Sequence, residues 1–370
     1  MSSGYAAVIL AAGLSSRQKG FKPFLPLGDR TVLERAVATF QDQGVTEIVV
    51  VTGHRGEETD EAAKRLGVRP MHNPDFASGM FSSVLVGMRA VPEKIRGIFM
   101  LPVDIPLVRA TTIVEIRAAF ERCRPEGVLP CFRGEPGHPP LLSGSLRPLI
   151  LNWSGRGGLG GLLETRDLHR LEVADKHILM DMDTPEQYRE MQTALERYDI
   201  LSPAEADLLM RQVFNAPEPV RNHCRAVAGL AVVMGEMLAE KGVSLDLELI
   251  EAGGMLHDLA KGHRDHEREG GRLLRQLGFA PVADIVEAHR DFIPPGTGPI
   301  TEKELVFLAD KLIRGEERVT LKQRFSGVLF KFAHDPDAVR AITQRLERAG
   351  RSRDRVRAVL GRNPEEIFRS

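Results

Sequence analysis

The chain has 370 residues, 42% of them hydrophobic, with 50 basic against 51 acidic side chains and a net charge of −1. That length suits two domains with ordinary cores, and the even charge argues against a nucleic-acid partner. Cys123, Cys131 and Cys224 make neither a disulfide framework nor a paired zinc motif, which suits a cytoplasmic setting; no charged-then-apolar leader and no apolar run of about 18 residues speaks for export or a membrane.

Short apolar runs at 6–10, 47–52, 97–101, 127–131 and 177–180 are expected to be strands. Amphipathic stretches near 31–43, 56–66, 81–90 and 110–122 are expected to be helices between them. This alternation predicts a doubly wound, mostly parallel α/β sheet over residues 1–196. Ligands of such sheets bind beyond the carboxyl ends of the strands, so the loops after residues 10, 52, 101 and 180 are the ones to inspect. Residues 196–203 are the expected linker. From Ser202 onward the strand pattern disappears. Helical periodicities near 203–212, 218–240, 246–260, 267–277, 281–290 and 302–313 predict an all-α domain over 203–370, whose Arg-rich tail reads as a solvated helix face.

The first strand runs into Leu10-Ala11-Ala12-Gly13-Leu14-Ser15-Ser16-Arg17-Gln18-Lys19-Gly20-Phe21-Lys22. Small residues let backbone N–H groups approach an anion, and Arg17, Lys19 and Lys22 can neutralise a triphosphate. Thr31 and Glu34 then form a capping box. Asp104 follows the strand near residue 101. Asp181 and Asp183 precede a second capping box, Thr184 to Gln187, with Pro185 at the first helical position. Carboxylates at adjacent strand ends suit Mg²⁺, which takes oxygen ligands and substrate phosphates.

Leu10, Ala11, Ala12, Gly13, Ser15, Arg17 and Lys22 resemble, at matching spacing, the signature of the nucleotidyltransferases that make molybdenum-cofactor dinucleotides. The Met-Gly pair of that signature is Gln18-Lys19 here, with a glycine one place later at Gly20. Asn73 with Gly79, Ser82 and Ser83 is similar to the family's segment near the base and phosphates. Gly137-His138-Pro139 is similar to its acceptor-side segment, and Gly155–Gly161 to the glycine-rich piece that follows. The resemblance implies nucleotide binding by Leu10, Ala11, Ala12, Gly13, Ser15, Arg17, Lys22, Gly79, Ser82 and Ser83. It implies Mg²⁺ on Asp104 and Asp183, with Asp181 the weaker candidate, and catalysis assisted by Arg17 and Lys22. The Ala-Ala-Gly start and the Gly-His-Pro segment look more like the cytidylyl branch, so the expected reaction joins CTP to the phosphate of molybdopterin and releases pyrophosphate. A sugar phosphate is the alternative acceptor. Another reading is a molybdenum-cofactor carrier that hands its cargo to a molybdoenzyme or its chaperone.

In the second half, His223, His257-Asp258, Lys261, His266, His289 and Asp310 follow one another in an order that resembles the HD phosphohydrolase superfamily. Imidazoles and carboxylates bind Mn, Fe or Zn readily, and a metal-activated water is a usable nucleophile. The resemblance implies His223, His257, Asp258 and Asp310 as core ligands, His266 and His289 as ligands of a second metal, and Lys261 as a phosphate contact and catalytic group. The expected substrate is a phosphoester or phosphoanhydride, such as a nucleotide or pterin nucleotide; a regulatory, non-catalytic HD module is the alternative. His54, His72, His169, His177, His263 and His334 are expected to be exposed histidines.

Overall fold

A computed structural model describes residues 4–15, 17 and 20–367. Lys19 lies outside the described residues. Contacts divide the chain into two compact units, Met1–Arg197 and Tyr198–Ser370.

The amino-terminal unit holds an eight-stranded sheet. Its strands are β1 (Tyr5–Leu10), β2 (Glu47–Thr52), β3 (Arg69–His72), β4 (Gly97–Pro102), β5 (Gly127–Phe132), β6 (Glu135–Pro136), β7 (Leu141–Ser143) and β8 (His169–Glu172). The order is β8-β5-β7-β4-β1-β2-β3, with β6 added to β5. Pairing is parallel except where β7 joins β4 and β5 and where β6 joins β5. The helices α1 (Val32–Gln41), α2 (Gly56–Arg65), α3 (Met80–Ala90) and α4 (Ala110–Cys123) lie in the intervals where the sequence predicts them, and α5 (Pro185–Glu196) closes the unit.

β1 is buried along its whole length, as a central parallel strand should be. Its alternate residues Ala6, Val8 and Leu10 pack with Val84 and Met88 of α3. The opposite face carries Tyr5, whose ring meets Phe99 and Phe120. Both expected capping boxes form, at Thr31–Glu34 and Thr184–Gln187.

One expected strand is not formed, and four strands, β3, β6, β7 and β8, were not expected. Residues 177–180 are not a strand: Lys176–Leu179 is a 3-10 turn capped by Asp175, whose buried carboxylate accepts from the backbone N–H of His177. That local bond competes with sheet pairing, and the ladder next to β5 goes to β8 instead. His177 is accordingly buried rather than exposed. The strand β3 escaped prediction because all four of its residues keep some contact with solvent, leaving no apolar run to find.

The second unit is helical: α6 (Glu218–Ala239), α7 (Leu247–Leu256), α8 (His266–Gln276), α9 (Ala280–Ala288), α10 (Glu302–Leu312), α11 (Leu321–Lys331) and α12 (Pro336–Leu360). Its core joins Val227, Leu230 and Met234 of α6 to Ile250 of α7 and to Leu305–Ala309 of α10. Several arginines of α12 pair with acids of other segments, among them Arg345 with Asp291 and Arg355 with the fully buried Glu304. Among the described residues, no helix is long and apolar enough to cross a membrane.

Candidate functional site

Chain direction places the first cluster. Leu10 ends β1, and Ala11 and Ala12 continue the extended path: Ala11 N–H donates to the Val51 carbonyl and His54 N–H to the Ala12 carbonyl. Gly13 is exposed, and the chain turns at Ser15, whose φ is 52°. Ser15 Oγ accepts from the backbone N–H of Lys22 at 3.1 Å, closing the loop on itself.

Closure sets Lys22 between two carboxylates. Its Nζ lies 2.8 Å from Asp104 Oδ2, just past β4, and 2.5 Å from Asp183 Oδ1, just before α5. Arg17 reaches Asp183 Oδ2 at 2.6 Å from the solvent side. Burial pulls the Lys22 ammonium down, but Asp104 and Asp183 more than offset it and raise its pKa. The Lys22 hydrogen bond holds Asp183 below the usual carboxylate range. Asp181 is pushed up by burial and by the charges of Asp183 and Asp104. Its carboxylate accepts from Gln187 Nε2, the capping-box side chain, at 2.6 Å. Three acids crowd the end of one sheet, and Asp181 feels their mutual repulsion, the condition a divalent cation relieves. Among the described residues, Asp104 and Asp183 belong to no compact three-donor cluster; the Lys22 ammonium occupies the gap between them.

The predicted base-side residues also meet. Asn73 is 1% exposed and its Nδ2 donates to Ser82 Oγ at 2.8 Å and Ser83 Oγ at 2.9 Å. Gly79 caps α3 with φ at 102°, a conformation that disfavours any side chain. Beside the strand ends opens a cavity of about 830 Å³, lined by Leu10, Met100, Pro102, His138 and the glycine-rich turn at 157–160. Gly137 is obligatory there, since a Cβ would sit 2.6 Å from the Ile178 carbonyl oxygen. Burial lowers the pKa of His138, against an opposing pull from Asp104.

The second cluster is buried in the helical unit. His223 lies on α6 and Asp310 on α10, but the His257-Asp258 doublet is not helical as the period suggested. α7 ends at Leu256, and His257 is its C-cap. The reason is local: His257 Nδ1–H donates to the Gly254 carbonyl at 2.8 Å, satisfying an orphan acceptor of the last turn. His289 caps α9 in the same way, donating to Val286 O at 2.6 Å, and His223 Nδ1–H donates to Gly315 O at 2.8 Å. A carbonyl can only accept, so each of these rings carries a proton on Nδ1; His257 and His289 offer a bare Nε2 lone pair, whereas His223 Nε2 lies at hydrogen-bond distance from the Asp310 carboxylate, which raises its pKa.

The Nε2 atoms converge on the acids. His223 Nε2 lies 3.2 Å from Asp310 Oδ1 and 3.9 Å from Asp258 Oδ2, and His257 Nε2 lies 3.7 and 3.6 Å from the same two oxygens. The other Asp258 oxygen, Oδ1, faces His266 Nε2 at 3.3 Å and His289 Nε2 at 3.7 Å. Two donor sets therefore share Asp258, one on each oxygen. His257 Nε2 is buried without a hydrogen-bond partner, an arrangement that costs free energy unless something binds there. Burial lowers the pKa of His257, and burial together with His257 holds His289 down to about 3, so both rings stay neutral and ready to ligate. Asp258 and Asp310 lie well below their ordinary range despite burial, held there by the surrounding imidazoles and lysines. Both donor sets fit divalent metals by number, chemistry and geometry.

Sequence reasoning missed Lys311. Its buried ammonium sits 2.5 Å from Asp310 Oδ2 and donates to the His289 carbonyl at 3.0 Å, so only Oδ1 faces the imidazoles. Adjacency to Asp310 was the one available signal, and adjacent helical residues seldom act on one site. Lys261, expected as a phosphate contact, pairs here with Asp258 Oδ2.

Residues 7–172 match the MobA-like NTP transferase domain, and residues 220–315 match the HD domain. The chain is 32% identical over 201 residues to the molybdenum cofactor cytidylyltransferase of Escherichia coli (strain K12), an alignment covering 53% of this chain and 98% of that protein. The chain belongs to the MobA-like NTP transferase family. This MobA-like chain, a nucleotidyltransferase-type enzyme with an HD domain behind it, is also 30% identical over 189 residues to the nicotine blue oxidoreductase of Paenarthrobacter nicotinovorans, covering 49% of this chain and 92% of that one. Relatives with such different names mean that membership alone sets no substrate. A solved nucleotidyl transferase from Methanothermobacter thermautotroptrophicus aligns over 52% of this chain and 98% of its own, at 26% identity and a TM-score of 0.46.

Proposed function

We propose that the amino-terminal unit transfers a cytidylyl group from CTP to the terminal phosphate of molybdopterin, and that the HD unit is a metal-dependent phosphohydrolase. The observation that carries the first part is the junction of Arg17 and Lys22 with Asp104 and Asp183 at the carboxyl end of the sheet. The likeness to a molybdenum cofactor cytidylyltransferase over nearly that protein's whole length supports the choice of substrates.

The reaction follows from charge. An oxygen of the acceptor phosphate forms a bond to the α-phosphorus of CTP. The bond from that phosphorus to the bridging oxygen of the β-phosphate breaks, and pyrophosphate leaves with the electron pair. Such an acceptor is mostly dianionic at pH 7, because its second pKa is near 6; no general base is required. Arg17 and Lys22 neutralise charge that grows on the leaving group. Asp104 and Asp183 would hold Mg²⁺, which supplies further neutralisation when bound. Asn73, through Ser82 and Ser83, fixes the start of α3 for the nucleotide, and the cavity beside His138 gives the acceptor its room.

For the HD unit, the support is the pair of donor sets sharing Asp258 and the orphaned Nε2 of His257. His223, His257, Asp258 and Asp310 would hold one divalent ion, and His266 and His289 with Asp258 a second; such a pair supplies Lewis acidity and an activated water when bound. Lys261 would receive a substrate phosphate.

A panel of nucleotides, each with and without molybdopterin, tests the first half by pyrophosphate production. Turnover should require CTP, Mg²⁺ and the pterin together; equal turnover with a sugar phosphate overturns the acceptor. For the second half, metal analysis of the purified chain and phosphatase assays after addition of Mn²⁺ should show bound metal and hydrolysis.

A further inference from the structure

Asp310 is gripped from two sides by cations of different character. Lys311 holds Oδ2 from within, its side chain 8% exposed. Arg324, one turn into α11, approaches Oδ1 from outside, its Nη2 3.8 Å away and its side chain 28% exposed. That separation is too long for a hydrogen bond. Among the described residues the Arg324 guanidinium makes no hydrogen bond to the protein. A half-buried guanidinium with its donors unspent, anchored on a helix with a complete capping box, is directed at something the protein does not supply.

Its position says what. Asp310 Oδ1 and Asp258 Oδ2 are the oxygens that face both His223 and His257. Lys261, half exposed, sits on Asp258 Oδ2, and Arg324 stands by Asp310 Oδ1. Two cations therefore flank the same donor set from different elements. Arg324 also lies outside residues 220–315, the stretch that matches the HD domain.

Resting on the phosphohydrolase reading, we infer that Arg324 is a substrate contact of the HD unit and that, with Lys261, it selects a terminal phosphoryl group over a phosphodiester. A terminal phosphoryl group carries three non-bridging oxygens and about two negative charges, and a diester carries two oxygens and one charge. Two metal positions, a lysine and a bidentate guanidinium offer more positive partners than a diester can use. In the step, a water oxygen forms a bond to phosphorus while the ester P–O bond breaks. The electron pair leaves on the alcohol oxygen, which takes up a proton from the water. No other reagent is needed.

The test uses the full chain loaded with Mn²⁺ and three probes: p-nitrophenyl phosphate, bis(p-nitrophenyl) phosphate and inorganic phosphate as inhibitor. The wild type should favour the monoester. Arg324→Ala should lower kcat/KM for the monoester about tenfold or more and weaken phosphate inhibition by a similar factor, at unchanged metal content. Diester hydrolysis should barely change, and Arg324→Lys should recover part of the loss. An Arg324→Ala enzyme within about twofold of wild type on both monoester and phosphate overturns the inference and leaves the phosphohydrolase reading standing. A wild type that prefers the diester overturns the substrate class. Loss of metal in both variants makes Arg324 a structural residue and overturns it too. A metal-loaded wild type that neither hydrolyses an ester nor binds phosphate sinks the underlying reading, and the inference with it.

Discussion

The two clusters solve the problem of holding acids in a protein in opposite ways. At the sheet rim, Asp104 and Asp183 are partly open to solvent and are held by the ammonium of Lys22 and the guanidinium of Arg17. In the helical unit, Asp258 and Asp310 are buried among imidazoles whose Nδ1 protons are tied to backbone carbonyls. The first arrangement is complete without a guest, and its cations can be handed to an incoming phosphate chain. The second leaves bare Nε2 lone pairs pointing inward, one of them an orphan, and so asks for a permanent guest. A site that turns over a charged substrate suits the rim; a site that keeps its metal suits a closed helical core.

The sharpest way to break this contrast is Lys22→Ala. Nucleotidyl transfer should fall by about 10²- to 10³-fold, read as pyrophosphate release, with metal content of the HD unit unchanged. A carrier protein would show neither activity nor loss. The converse is His257→Ala, which should strip metal from the HD donor sets while leaving CTP turnover within about twofold, because the change lies in the other unit; full metal retention would make His257 a core histidine.

Acid separates the clusters next. Burial holds His289 down to about 3 and lowers His257 as well. An unfolded imidazole takes a proton below about 6.5, so between those limits the unfolded state binds more protons than the folded one. Chelator-treated protein should therefore lose stability in the helical unit as pH falls from about 6.5 towards 3, read by thermal melting. His223, raised by Asp310 against burial, works the other way, but it is one ring against two. A flat profile would mean the imidazoles are not buried neutral.

Smaller effects sharpen the rim. Asn73→Ala leaves the buried Ser83 hydroxyl without this donor and should cost about 1–3 kcal/mol of stability, with a raised KM for nucleotide. Thr184→Ala removes the cap that starts α5 beside Asp183, costing about 1 kcal/mol, with a modest loss of transfer rate. An unchanged rate there would show that its ion pairs with Lys22 and Arg17 position Asp183 without the cap.

Much of the site could be read from one dimension because its parts are local. The loop from Leu10 to Lys22 announced cations beside a strand end, and the Thr184–Gln187 box announced a helix start next to Asp183. The His-Asp doublet and its followers named the helical donor set. What escaped had non-local causes. Residues 177–180 look like a strand until Asp175 folds them into a turn. His257 looks helical until its own side chain ends the helix. Lys311 had only its adjacency to Asp310 as a signal and Arg324 had none, since their placement depends on α10 packing against α6 and α9 and on α11 packing against α10.

By itself, then, the order of residues determined the alternation of strands and helices, the switch to helices after Ser202, and which side chains stand as candidates at the two clusters. Those are properties of neighbours along the chain: hydrophobic period, caps, and charge beside small residues. Only the folded chain decided that Lys22 bridges Asp104 and Asp183 across separations of 82 and 161 residues, and that Asp258 turns one oxygen to each histidine pair. Orientation of that kind comes from packing, which selects one rotamer and one carboxylate face among several that the sequence allows equally.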